Sequence, residues 1–238
     1  MNTSSDTPDT EKHPGAWAGI LKVARAVAIF PVVTTIAFVA AAGRLDWAWA
    51  WVYVGGNLAN VLVVGPIAIQ TNPSIVAQHN ASENMQKWDT GSVFHLLAAY
   101  IALPLVAGLD VRFGWARNLS IAWHAAGTLA FVVGLGLVSW VMIANPYTWS
   151  EVPVQRGQTV CSTGPYRLVR HPAYAGLVLQ ALGVPILLGS FWALMPGIAA
   201  AVCIVIATSS EDGMLQVELP GYQDYVRKVR YRLVPGIW

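Results

Sequence analysis

Six apolar runs alternate with polar connectors along the chain and predict a bundle of membrane-spanning helices. The runs cover residues 26–42, 47–69, 93–109, 119–144, 172–189 and 191–208. They have about the length that a helix needs to cross ~30 Å of hydrocarbon. The last two runs are joined almost without a linker, which predicts a tight helical hairpin that either crosses the membrane or dips part-way into it. The predicted fold class is therefore all-α, a polytopic integral membrane helical bundle.

Polar stretches divide the chain into three parts. Residues 1–16 form a polar leader that we expect to be disordered, 17–144 form a four-span region, and 145–238 form a C-terminal region. From Glu211 onward, apolar side chains recur at steps of three or four residues, with an interruption at Pro220-Gly221. This spacing predicts an amphipathic helix that lies along the membrane surface.

Composition supports the membrane interpretation. Charged residues make up only 11% of the chain, against about a quarter in a soluble domain, and the eleven tryptophans suit interfacial belts. A net charge of +2 gives no reason to expect nucleic acid as a partner. Neither of the two cysteines has a zinc-type spacing to a histidine, so we expect no metal site.

The distribution of basic residues orients the predicted spans. With the N-terminus inside, eleven Lys and Arg residues fall on the inner side and three (Arg44, Arg112 and Arg117) on the outer side. The positive-inside rule then places both termini and the loop at 145–171 in the cytoplasm, and we expect the bacterial inner membrane as the location. His95 and His124 lie at or within spans and are either functional or hydrogen-bonded at the interface.

Candidate chemistry concentrates in residues 164–176, which carry two arginines, a histidine and two tyrosines before an apolar run. Proline disfavours helical geometry in the preceding residue and is tolerated at the first helical position. We therefore predict that His171 is the last residue before a helix, that Pro172 begins the helix, and that Tyr174 lies on its first turn. The alternative is a basic loop that anchors a span at the headgroups.

The hairpin brings a second polar feature to the same face. Returning through two consecutive runs places Glu211-Asp212 beside the helix that begins at Pro172. Two acidic residues after an apolar run are either boundary markers or ligand-binding groups. In the second case, Glu211 meets a polar or cationic ligand held by the loop.

Taken in order, these motifs resemble the isoprenylcysteine carboxyl methyltransferase family and its bacterial relatives. The resemblance rests on Gly164-Pro165-Tyr166, Arg170-His171-Pro172-Ala173-Tyr174-Ala175-Gly176, Glu211-Asp212, Tyr222-Gln223-Asp224-Tyr225 and Val234-Pro235-Gly236. It implies an integral-membrane methyltransferase that uses S-adenosylmethionine and binds it in the C-terminal region. The cofactor-binding positions that it implies are Gln155, Gln158, Thr159, Val160, Cys161, Tyr166, His171, Pro172, Ala173, Tyr174 and Glu211.

One position departs from the family pattern. Relatives commonly carry an arginine one helical turn before the acidic pair, where it resembles a carboxylate-binding group, whereas this chain has Ala207. An alanine cannot make the bidentate contact that an arginine makes with a carboxylate. Arg167 or Arg170 is the candidate replacement for binding substrate.

A sulfonium is already an activated methyl donor, so catalysis mainly needs orientation and the exclusion of water. We expect the acceptor to be a carboxylate or a thiol of a lipophilic small molecule that enters from the membrane lipid, with no protein partner indicated. A thiol gains from a base, for which Glu211 is the first candidate and His171 the second. The alternatives are an NADPH-dependent membrane reductase of the sterol reductase type and a non-catalytic membrane scaffold.

Overall fold

All regular structure is helical in the part of the chain that the computed structural model describes, namely residues 31–71, 101–115, 119–148, 154 and 157–238. The helices are α1 (Pro31–Ala42), α2 (Ala48–Thr71), α3 (Leu103–Phe113), α4 (Ile121–Ala144), α5 (Pro172–Leu188), α6 (Leu194–Glu218) and α7 (Tyr222–Lys228), with a 3₁₀ turn at Gly164–Arg167. The all-α prediction is confirmed. The polar leader, His95, Arg117 and Gln155 lie outside the described residues.

Within the part of the chain that the structure describes, three helices are long and apolar enough to cross a membrane: Ala48–Ala68, Ile121–Ala144 and Leu194–Glu218. Pro31–Ala42 and α5 are apolar but shorter. At 1.5 Å per residue, the 17 residues of α5 span ~25 Å, slightly less than the hydrocarbon thickness. Leu62, Leu129 and Ile206 are each more than 60% exposed, as expected for side chains that face lipid. These features confirm a helical membrane bundle.

Helices α4 and α5 pack antiparallel, and they make their closest contacts at glycine residues. A Cβ atom on Gly134 would lie 2.5 Å from the carbonyl oxygen of Gly176, and one on Gly127 would lie 2.1 Å from the backbone nitrogen of Leu187. Small residues allow this close approach where lipid supplies no hydrophobic drive for helix association. The contact aligns the C-terminal end of α4 with the N-terminal end of α5, which is where residues 164–176 lie.

The predicted hairpin is formed by α5 and α6, which are joined by only five residues, 189–193. Gly189 ends α5 in the left-handed conformation, at φ 78°. The Ser190 hydroxyl oxygen then accepts a hydrogen bond from the backbone N–H of Ala193 at 3.1 Å and stabilises the start of α6. The hairpin returns the chain to the end of the bundle where α5 begins.

The end of α6 differs from the apolar pattern. The last apolar run stops at residue 208, yet α6 continues to Glu218 and carries Glu211 and Asp212 as helical residues. The predicted interruption at Pro220-Gly221 is present, and α7 follows it. The apolar side chains of α7 pack against Leu215 and Leu219, so part of the face predicted to lie on the membrane is buried within the protein.

Candidate functional site

The candidate site is assembled where α5 begins. His171 precedes the helix with φ −125° and ψ 64°, and Pro172 is the first helical residue. The 3₁₀ turn of the preceding loop ends at Arg167, and Gly164 begins it with φ 57°, a conformation that favours glycine. The predicted positions of His171, Pro172 and Tyr174 relative to the helix are confirmed.

Asp212 is the centre of a buried polar network at this end. Its Oδ1 accepts hydrogen bonds from Arg170 Nε at 2.7 Å and from the Tyr222 hydroxyl at 3.0 Å. Its Oδ2 accepts from Arg232 Nε at 2.9 Å and from Gln216 Nε2 at 2.9 Å. The side chain is fully buried. A buried carboxylate is stabilised only when charges and hydrogen bonds surround it, and Asp212 has both.

The chain after α7 folds back over the residues before α5. The backbone N–H of Arg170 donates to Tyr231 O and that of His171 donates to Arg232 O, both at 2.9 Å. The guanidinium of Arg232 lies over the Trp238 ring, 4.9 Å from its centroid. Asp212 therefore ties α6 to two segments that are distant in sequence.

The guanidinium of Arg170 uses its hydrogen-bond donors on groups within the protein. Its Nη2 contacts Asp212 Oδ2 at 3.1 Å, and its Nη1 donates to the carbonyl oxygens of Val229 at 2.9 Å and Arg230 at 2.6 Å. Only 6% of Arg170 is exposed. The assignment of Arg170 as a substrate-binding group is therefore corrected, because its donors are used within the protein. Arg167 remains exposed.

His171 is buried beside the same carboxylate. Its Nε2 lies 3.2 Å from Asp212 Oδ1 and 3.3 Å from the Tyr222 hydroxyl oxygen. Burial, followed by the adjacent Asp212 charge, raises the pKa of Tyr222, so the phenol stays protonated and can donate. This geometry holds the imidazole in one orientation, with Nε2 facing the network.

Glu211 differs from its neighbour Asp212. It is half-buried, and its Oε2 accepts a hydrogen bond from the Tyr174 hydroxyl at 2.5 Å. No other described residue hydrogen-bonds the Glu211 carboxylate. Successive helical residues point about 100° apart, so one member of the pair lies within the Asp212 network while the other faces the first turn of α5. Glu211 thus offers a partly desolvated carboxylate at the predicted cofactor position.

Tyr166 lies in the same region as Glu211. Its hydroxyl oxygen accepts from Asn145 Nδ2 at 2.9 Å, which joins the end of α4 to the 3₁₀ turn. Burial raises the pKa of Tyr166, hydrogen bonds with Asn145 and Thr148 lower it, and the neighbouring Cys161 and Glu211 raise it further. The Tyr225 hydroxyl donates to the backbone oxygen of Tyr166 at 2.7 Å. Tyr166, Cys161 and Glu211 are therefore close enough to interact electrostatically.

The segment at 158–161 borders this region. Cys161 Sγ lies 3.6 Å from Ala144 O, and Val160 packs against the apolar cluster of α7. Within the described residues, the backbone groups of 159–161 form no backbone–backbone hydrogen bonds. Backbone N–H and C=O groups that are not used within the main chain can hydrogen-bond the edge of a purine base.

These groups fit S-adenosylmethionine. A carboxylate with one oxygen held by a phenol can accept hydrogen bonds from an ammonium group or ribose hydroxyls, and tyrosine rings attract a sulfonium cation. Glu211, Tyr174, Tyr166 and the 159–161 backbone would supply these contacts. No group of three or more metal-ligating side chains was found among the described residues.

Comparison with known proteins supports methyl transfer. Residues 122–218 match the family model of phospholipid methyltransferase. No curated protein matches the chain. The match covers α4, α5 and α6, together with Glu211 and Asp212, and it points to a membrane methyltransferase. It gives no support to the reductase or the scaffold alternative.

Four residues of the network were not assigned a role from the sequence: Asp212, Gln216, Tyr222 and Arg232. Asp212 and Tyr222 appear within motifs that carry the resemblance, whereas Arg232 was only counted among the inner basic residues. Tyr222 and Arg232 also lie beyond the matched residues 122–218. These contacts form because the tail folds back onto α5. No local sequence pattern predicts such a contact.

Proposed function

We propose that this protein transfers the methyl group of S-adenosylmethionine to a lipophilic small molecule that reaches the site from the membrane. The observation that carries the proposal is the Glu211–Tyr174 hydrogen bond of 2.5 Å, which holds a half-buried carboxylate at the first turn of α5. The match of residues 122–218 to a methyltransferase family supports the reaction class. The positive-inside distribution supports a cytoplasmic orientation of this end.

The cofactor would supply a methyl group that is already activated by its sulfonium. Glu211 would bind its ammonium or ribose hydroxyls, with Tyr174 fixing the orientation of the carboxylate. Tyr166 and the 159–161 backbone would line the opposite side. The remaining contribution of the chain is orientation, which supplies up to ~7–11 kcal/mol in favourable systems.

Asp212 acts by positioning rather than by contacting the reacting atoms. It holds Arg170 and His171 immediately before α5 and anchors the returning tail through Arg232. A fully buried carboxylate with this many donors cannot reorient without losing several charge-assisted hydrogen bonds. The network therefore fixes the loop that carries the cofactor contacts.

A thiol fits the site better than a carboxylate as methyl acceptor. A carboxylate would need a cationic partner, and Arg170 is already bound to Asp212 and to two backbone carbonyls. A thiol near pKa ~8.5 is already partly ionised near neutral pH and needs no cationic partner of this kind. The family match favours a second candidate, the amine of a phospholipid, which would also give up a proton.

The test is methyl transfer from methyl-labelled S-adenosylmethionine by the detergent-purified full chain. The acceptors are a long-chain alkyl thiol, a long-chain fatty acid and a phospholipid with a primary amine. We expect label in the thiol, a large loss in Glu211→Gln, and little change in Glu218→Gln, which alters an exposed residue on the same helix. If only the phospholipid is labelled, the acceptor is the phospholipid amine rather than a thiol. Transfer to none of the three would overturn the proposal.

Arg167 supplies a specific check on the acceptor. This side chain is exposed beside the site, and it is the candidate for pairing with a carboxylate substrate. We expect Arg167→Gln to leave transfer to the thiol unchanged. A loss of thiol methylation in Arg167→Gln would contradict the claim that the thiol acceptor is bound without an arginine.

A further inference from the structure

The chain after α7 lies at the level where α5 enters the apolar part of the membrane. The backbone N–H groups of Arg170 and His171 donate to the carbonyl oxygens of Tyr231 and Arg232, both at 2.9 Å. Arg170 and His171 stand directly before Pro172, the first residue of the apolar helix α5. The head-group layer begins where an apolar helix leaves the hydrocarbon. Tyr231 and Arg232 therefore lie in that layer.

This tail and the loop before α5 form one continuous surface. The Tyr225 hydroxyl donates to Tyr166 O at 2.7 Å, and Arg170 Nη1 donates to Arg230 O at 2.6 Å. These hydrogen bonds hold the two segments side by side. We use the name basic tail surface for six exposed residues of the loop, the tail and the turn that follows it: Arg167, Leu168, Lys228, Arg230, Val234 and Ile237.

Three cations of the basic tail surface have no acidic partner among the described residues: Arg167, Lys228 and Arg230. Arg227 differs from them, because its Nη1 lies 3.6 Å from Asp224 Oδ1 and the two charges offset each other. Glu218, which is exposed at the end of α6, adds one negative charge at this end. The surface therefore keeps an excess of positive charge, which attracts anionic lipids.

Apolar side chains are exposed beside these cations. Ile237 is 80% exposed, Leu168 60% and Val234 45%. The apolar side chains of α7 pack inside the protein against Leu215 and Leu219, so they do not provide the lipid contact of the tail. Exposed apolar residues mixed with Lys and Arg are typical of segments that lie in a membrane interface. A free anion would satisfy only the charges, whereas an anionic lipid also covers the apolar side chains.

We propose that the basic tail surface binds anionic lipids of the surrounding membrane. Its three cations face the lipid phosphates, and its three apolar side chains lie among the upper parts of the acyl chains. A lipid bound there contacts both the tail and the loop before α5, so it stabilises the folded protein. The proposal does not depend on methyl transfer, because lipid binding at this surface involves neither the cofactor nor a methyl acceptor.

The test compares three probes on the detergent-purified full chain: short-chain phosphatidylglycerol, short-chain phosphatidylcholine and inorganic phosphate. Binding is measured as the rise in unfolding temperature with probe concentration. We expect phosphatidylglycerol to bind more tightly than phosphatidylcholine, which has no net charge, and added salt to reduce this difference by screening. Equal binding of the two lipids, or stabilisation by inorganic phosphate at the same concentrations as phosphatidylglycerol, would overturn the proposal.

Charge variants locate the binding. Arg230→Gln removes one cation at an exposed position, and we expect it to weaken phosphatidylglycerol binding about fivefold, with phosphatidylcholine binding unchanged. Adding Lys228→Gln should bring the loss to about tenfold or more. The control is Arg112→Gln, which removes an exposed arginine at the other end of the bundle and should have no effect. Equal losses in Arg230→Gln and Arg112→Gln would overturn the proposal.

An apolar variant tests the contact with the acyl chains. Ile237→Ser removes apolar surface from the most exposed of the three apolar side chains and leaves every charge in place. We expect severalfold weaker binding of both lipids, with the preference for phosphatidylglycerol retained, because the apolar contact does not depend on head-group charge. Unchanged affinity for both lipids in Ile237→Ser would contradict the proposal that lipid covers this surface.

Discussion

Arg170 donates two hydrogen bonds to the buried Asp212 carboxylate: Nε lies 2.7 Å from Oδ1, and Nη2 lies 3.1 Å from Oδ2. Arg170, two residues before the first residue of α5, is thereby joined to the residue after Glu211. Because Glu211 and His171 are the immediate neighbours of this pair, the ion pair sets the distance between the two halves of the candidate site.

Removing the Asp212 charge is expected to destabilise the protein strongly. Asp212→Asn would leave the Arg170 guanidinium buried without a counter-charge, and breaking a buried pair in this way typically costs about 3–5 kcal/mol. The measurement is thermal unfolding in detergent, with Asp224→Asn as the exposed control. Similar unfolding temperatures for Asp212→Asn and the wild type would show that the network contributes little to stability.

The contact between α4 and α5 gives a prediction with a control on the same helix. Gly134→Ala would place a Cβ atom 2.5 Å from Gly176 O, whereas a Cβ on Gly136 has nothing within 4 Å. Overpacking of this kind costs about 1–3 kcal/mol, while Gly136→Ala should be neutral or slightly stabilising. Unfolding temperatures of the two variants test this, and equal values would argue against the close helix contact.

Tyr174 and Glu211 are expected to act together on cofactor affinity. Tyr174→Phe removes the donor that orients the carboxylate, so it should weaken S-adenosylmethionine binding severalfold, by a coupling of about 1 kcal/mol. In a Glu211→Gln background the same substitution should have much less effect. A double-mutant cycle measures this coupling, and strictly additive losses would mean that Tyr174 contacts the cofactor independently.

Alkaline pH should destabilise the site through its buried tyrosines. Burial raises the pKa of Tyr166, Tyr222 and Tyr225, so the folded protein retains phenolic protons that the unfolded chain releases near pH 10. Stability from these groups is therefore constant below about pH 10 and falls as the pH rises above it. Unfolding temperatures across this range check the prediction, and the loss should be smaller in Tyr225→Phe. If the unfolding temperatures of the wild type and of Tyr225→Phe fall equally above about pH 10, Tyr225 does not contribute to the loss of stability.

The local features of the site were predictable from sequence because they depend on neighbouring residues. Proline geometry placed His171 before α5 and Tyr174 on its first turn, and the apolar runs placed Glu211 beside them. The roles of Asp212 and Arg170 were not predictable, since they depend on Arg232 folding back from the tail. The end of α6 was missed for a related reason, because an apolar run marks membrane contact rather than the last helical residue.

The central claim is that Glu211 holds S-adenosylmethionine at the start of α5. Its most direct test is calorimetric titration of the detergent-purified full chain with S-adenosylmethionine, for the wild type, Glu211→Gln and the exposed control Glu218→Gln. We predict saturable binding that is weakened about tenfold or more in Glu211→Gln and unchanged in Glu218→Gln. Absence of binding to folded wild-type protein, or equal affinity in Glu211→Gln, would contradict the account.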